Sequence, residues 1–209
     1  MKLPVIAYIY IFSIVAVSLI GYLRLRKLDP GMVLFFWFTV LNLLTEIITF
    51  LLSRYTINNH WVLHIYDLLE YCILILMFSR WQPERRISDF LKLSMPVFVI
   101  FWIVSKFTIE SLSGLSNYVH PAACLIFIIV SILTLYQLVK SELSKLVKVP
   151  RYWIVSGVLL FFAGSIMFYL LENEFASLRY DDAILIMKVH WSVGALVNVI
   201  YSIGFLMVK

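Results

Sequence analysis

Three ionisable side chains, His64, Asp67 and Glu70, fall within seven consecutive residues of the otherwise apolar segment 62–79. At the centre of a membrane helix each such group costs about 2.5–3.5 kcal/mol on insertion scales, so the segment must line a polar cavity or pair these groups with neighbours. Imidazole beside carboxylate offers proton exchange around neutral pH and binding of a small ion. It also suits zinc, which activates water when a coordination position stays open. The remaining candidates are Asn42 and Glu46 in segment 32–52, His120 in 118–139, and His190 and Asn198 in 184–208.

The elements that must position them are membrane helices. The chain is 63% hydrophobic and 14% charged, against about 45–50% and about 25% in soluble domains. Its mean hydropathy is +0.96. The fold class expected is all-α: one polytopic domain over 1–209 with seven spans at 4–23, 32–52, 62–79, 92–108, 118–139, 152–171 and 184–208. That leaves no room for a soluble catalytic domain. Segment 4–23 is too long for a signal-peptide core, lacks an Ala-x-Ala-like cleavage site and is followed by Arg24, Arg26 and Lys27, so it reads as an uncleaved span. Asp29-Pro30-Gly31 reads as a turn, 80–91 as a loop, and 92–108 as a short span interrupted by Pro96. Cys72 and Cys124 both fall inside spans, which argues against a disulfide or a cysteine zinc site.

Loop charge orients the spans. Arg24, Arg26, Lys27, Arg80, Arg85, Arg86, Lys92, Lys140, Lys145, Lys148 and Arg151 lie in alternate connections, against Arg54, Lys106 and Arg179 in the others. Lys2 precedes the first span and Lys209 follows the last. The positive-inside rule then predicts the N-terminus outside and the C-terminus inside. The net charge of +5 belongs to inner loops at the membrane rather than to nucleic acid. The acidic Glu110, Glu172, Glu174, Asp181 and Asp182 fall outside.

This orientation collects the polar residues in the outer leaflet. At about 100° per residue, His60, His64, Asp67 and Tyr71 share an arc of roughly 60°, with Glu70 on its flank. Asn42, Thr45, Glu46 and Thr49 form a second stripe, and His190, Gly194, Asn198 and Tyr201 a third. Lys188 faces away from His190 and is expected to snorkel. The expectation is an outward-facing pocket formed by Glu46, His64, Asp67, Glu70, His120 and His190, with Asn42 and Asn198 near mid-depth. The bland alternative is a satisfied interhelical network. No cofactor is required, and a bound metal would use His64, Asp67 and His190.

Several family resemblances bear on function. Asn42-x-x-x-Glu46, His64-x-Tyr66-Asp67-x-x-Glu70 and Pro150-x-x-Trp153 resemble the pattern of small orphan bacterial seven-helix proteins similar to the membrane sensor modules of histidine kinases. That implies a small-ligand or proton sensor in the plasma (inner) membrane, working through a cytoplasmic partner at the basic loops. A basic stretch with proline before Trp37 and again before Trp153 is similar to the 3+1+3 layout of the SWEET and PQ-loop transporters, which implies parallel repeats around a central path. The Pro-Gln pair of those families is absent. His64, Asp67 and His190 loosely resemble the ligands of seven-helix metal hydrolases such as the alkaline ceramidases, although Gly194 stands where a further ligand is expected. A structural or pore-forming accessory subunit, and an oligomer, complete the alternatives.

Overall fold

The structure, a computed structural model, describes residues 4–171, 174 and 178–208. Lys2, Glu172 and Lys209 lie outside the described residues. The described residues form α1 (Val5–Arg24), α2 (Pro30–Arg54), α3 (His60–Trp81), α4 (Arg85–Thr108), α5 (Val119–Glu142), α6 (Pro150–Leu170) and α7 (Tyr180–Leu206). Short 3-10 turns at Leu25–Lys27 and Leu143–Lys148 follow α1 and α5, and there is no strand among the described residues. All seven helices are long and apolar enough to cross a membrane. Large apolar side chains such as Phe12, Phe90 and Phe107 are at least 70% exposed. Apolar surface on that scale fits a multi-pass membrane protein whose outer faces meet lipid.

Element boundaries differ from the sequence reading at several places, and two of them have a clear physical cause. Residues 85–91, expected in a loop, are the first two turns of α4, which runs for 24 residues. Hydropathy marks only where charge ends, whereas the helix continues through exposed turns in which Asp89 pairs with Arg85 and Lys92, each at 3.6 Å. Pro96 lies inside α4 and does not end it, as occurs in membrane helices where neighbouring groups re-satisfy the backbone. Asp29-Pro30-Gly31, expected as a turn, is the start of α2. Asp29 Oδ1 accepts from the amides of Gly31 (2.8 Å) and Met32 (3.1 Å), with Pro30 in the first helical position.

The chain divides into two compact units, Met1–Leu28 with Cys124–Lys209, and Asp29–Ala123. In the first unit α7 packs against both α1 and α6. Gly194 permits the α1 approach, since a Cβ there would stand 2.6 Å from Tyr10 Cε2. Asn198 Nδ2 donates to Ser13 Oγ at 3.0 Å across the same pair of helices. The first unit thus joins α1 with α6 and α7.

In the second unit α3 packs against α2 and α4. It is the most buried of the seven spans, and Tyr71, Leu74, Ile75, Met77 and Phe78 are fully buried. Tyr71 stacks on Phe98 with centroids 3.7 Å apart, and its hydroxyl donates to Ser94 Oγ at 2.9 Å. Where α2 begins and α3 ends, Trp81 Nε1 donates to Asp29 Oδ1 at 3.1 Å, and only a glycine at position 31 leaves room for the indole. One carboxylate thus caps α2 and anchors α3. Asp29→Ala is expected to cost about 1–2 kcal/mol, read as a lowered unfolding midpoint in detergent. Asp29→Asn, which keeps an acceptor oxygen, is expected to retain most of that stability, and equal losses in both variants would refute the capping role.

Candidate functional site

Asp67 and Glu70 are three residues apart on α3, which brings their carboxylates to neighbouring positions on the helix surface. His120 reaches them from the second residue of α5. Its Nδ1 lies 2.6 Å from Asp67 Oδ1 and 3.8 Å from Glu70 Oε2. All three side chains are buried, with at most 5% of any one exposed. One potential ligand atom from each falls within 4.8 Å of the others, and among the described residues this is the cluster with metal-binding proximity. Tyr66 Oη donates to Glu70 Oε1 at 2.8 Å and so holds the carboxylate with its other oxygen towards the histidine. Asp67 Oδ2 and Glu70 Oε2 are buried and have no hydrogen-bond partner.

The position of His120 is itself built by a second buried polar group. Glu110, just beyond α4, accepts through Oε1 from the amides of Tyr118 (2.6 Å) and Val119 (3.1 Å), where α5 begins. These amides have no partner within the helix, and a carboxylate also suits the positive end of its dipole. Pro121 follows in the first turn of α5, where its missing N–H costs nothing. Glu110 Oε2 pairs with Lys106 Nζ at 2.5 Å, and the two side chains are 1% and 4% exposed. Lys106 also donates to His64 Nδ1 at 2.8 Å. That bond puts the imidazole proton on Nε2, which lies 3.1 Å from the carbonyls of both Ser111 and Gly114. Trp102 Nε1 donates to the His64 carbonyl at 2.9 Å, and Lys106 lies 5.6 Å from the Trp102 ring centroid.

Of the eight residues proposed from sequence, the structure brings together Asp67, Glu70 and His120 within ligand distance. His64 is one turn away on α3, with both ring nitrogens engaged by Lys106 and the 111–114 loop. Asn42 and Glu46 are half-buried on α2, and Glu46 is not one of the three residues that meet within ligand distance. His190 belongs to the other unit and stacks on Phe168 at 4.4 Å, with Ser165 Oγ 3.5 Å from its Nδ1. Asn198 is buried on Ser13. Within the second unit the residues that meet are Asp67, Glu70 and His120; of the metal set expected from sequence, His64 lies one turn from Asp67 in that unit and His190 lies in the other unit.

Sequence reasoning missed Lys106 and Glu110, which it read as outer-loop charges; both are buried. The available signal was their spacing of four at the end of an apolar run, which suits an intrahelical or helix-terminal pair. Removing one partner of a buried ion pair strands the other, at a cost of about 3–5 kcal/mol. Lys106→Met is therefore expected to destabilise the protein by that order in mixed-micelle unfolding. Lys106→Met combined with Glu110→Gln, which keeps an acceptor for the α5 amides, is expected to recover part of the loss, and strictly additive losses would contradict the pairing. Comparison of the chain with protein-family models, curated proteins and solved structures finds no match. The functional reading therefore rests on the Asp67, Glu70 and His120 geometry.

Proposed function

We propose that the chain is a receptor-like sensing module of the plasma membrane that takes up a small cationic ligand at Asp67, Glu70 and His120. The observation that carries this reading is the meeting of two carboxylates and one imidazole, all buried, between α3 and the first turn of α5. A cation there offsets the repulsion between Asp67 and Glu70 and draws on donors from two helices. It thus binds one arrangement of α3 and α5 better than another, which is what a ligand-driven shift in packing requires. Loop charge supports an N-out, C-in orientation, in which the cluster lies in the outer half of the span and the basic loops meet a cytoplasmic partner or anionic lipid.

Binding without passage is supported by the rest of α3. Residues 73–78 carry only apolar side chains, and Leu74, Ile75, Met77 and Phe78 are fully buried. Between Cys72 and Ser79 this helix supplies no polar side chain for a solute to follow.

The test is cation addition to the protein reconstituted in liposomes, with tryptophan fluorescence, solute flux and lipid turnover followed together. The expected outcome is a saturable fluorescence change without flux or turnover, absent from the Asp67→Asn/Glu70→Gln double variant. Flux that depends on Asp67 would make the protein a transporter instead, and lipid turnover that depends on Asp67 a hydrolase. Tags at the two termini are expected to show the N-terminus accessible from outside the cell and the C-terminus protected; the reverse would place the cluster near the wrong face for an external signal.

A further inference from the structure

Building on that reading, we infer that Asp67, Glu70 and His120 form a binding site for one divalent transition-metal ion. Three observations point there. Charge comes first: in the protonation state that ligates a metal, with both carboxylates ionised and the imidazole neutral, the cluster carries two negative charges, which a doubly charged cation cancels, whereas a monovalent one leaves a residue of charge in low dielectric. Lys106 does not supply this balance, since its ammonium is paired with Glu110.

The second observation is the state of the carboxylate oxygens. Asp67 Oδ2 and Glu70 Oε2 are buried without a hydrogen-bond partner, on side chains no more than 5% exposed. A buried acceptor left unsatisfied bears its whole desolvation cost, and an ion bound between the two groups removes it. Tyr66 meanwhile fixes Glu70 through its other oxygen, as hydrogen bonds to ligating carboxylates do around metals.

Donor chemistry and geometry supply the third. Bonds of about 2.0–2.2 Å to a tetrahedral ion place its donors about 3.3–3.6 Å apart. His120 Nδ1 stands 2.6 Å from Asp67 Oδ1 and 3.8 Å from Glu70 Oε2, on either side of that spacing, and one donor atom from each of the three residues lies within 4.8 Å of the others. Two oxygens and one imidazole nitrogen without thiolate suit Zn2+ or Mn2+; Ca2+ calls for six to eight oxygens. Three protein ligands leave at least one coordination position for water, unlike the closed four-ligand sets of structural zinc sites. That arrangement suits an ion that comes and goes. His64 is not a ligand: an ammonium lies 2.8 Å from its Nδ1, and its Nε2 is turned to two carbonyls.

The experiment is titration of the full-length, detergent-purified protein with Zn2+ and, separately, Mn2+ by calorimetry. One ion per chain is expected, with affinity reduced at least tenfold in Asp67→Asn, Glu70→Gln and His120→Gln and unchanged in His190→Gln. Excess Mg2+ or Ca2+ is expected not to displace it. For variants that fail to fold, pulsed electron paramagnetic resonance of Mn2+ on the unmodified protein reads the same point, with coupling to a single imidazole nitrogen expected. Absence of saturable binding, coupling to two imidazoles, or affinity lost in His190→Gln but kept in His120→Gln overturns the assignment. A metal bound with these properties but without the fluorescence response in liposomes supports the site and removes the sensing reading. A response to monovalent cations alone removes the metal site and leaves sensing intact.

Discussion

Two carboxylates one turn apart in the most buried apolar helix impose the constraint on which the second unit depends. Neither Asp67 nor Glu70 can reach bulk water, and in such surroundings an uncompensated charge costs several kcal/mol. The response is a relay of polar contacts along the chain. His120 covers Asp67, α5 presents His120, Glu110 fixes the amides that open α5, Lys106 balances Glu110, and His64 receives Lys106 while holding the 111–114 loop. Each member is placed by the next, so the candidate site and the structure around it are one network.

The two units solve packing differently. Between α1 and α7 the close approach rests on a glycine facing a tyrosine ring and on one Asn198–Ser13 hydrogen bond, which are inexpensive in lipid. Asp29–Ala123 instead concentrates buried charge, with Lys106, Glu110, Asp67 and Glu70 all in the same unit. Buried ionic groups are weak contributors to stability, and their retention in a membrane helix marks a functional position by default.

How legible was this in the sequence? The seven helices were, because twenty-odd apolar residues between charged connections admit little else. The first turns of α4 were not, since charged residues such as Arg85 and Asp89 can be helical or not at equal hydropathy. Asp67 and Glu70 stood out because ionisable groups are costly at that depth, and His120 because it opens a span beside a proline. Their meeting with one another, while His64 one turn away is held by Lys106, depends on which helix faces adjoin, and periodicity along single helices carries no such information. Lys106 and Glu110 escaped notice because a charge at the end of a span ordinarily lies in water. Burial by mutual pairing and by unpaired helix amides is a tertiary event.

The most direct test is an anomalous difference map from crystals of the protein grown with Zn2+. One peak per chain is expected, within about 2.2 Å of donor atoms from Asp67, Glu70 and His120. A peak at His64, His190 or either cysteine, or none at the cluster under conditions that saturate binding in solution, would contradict it.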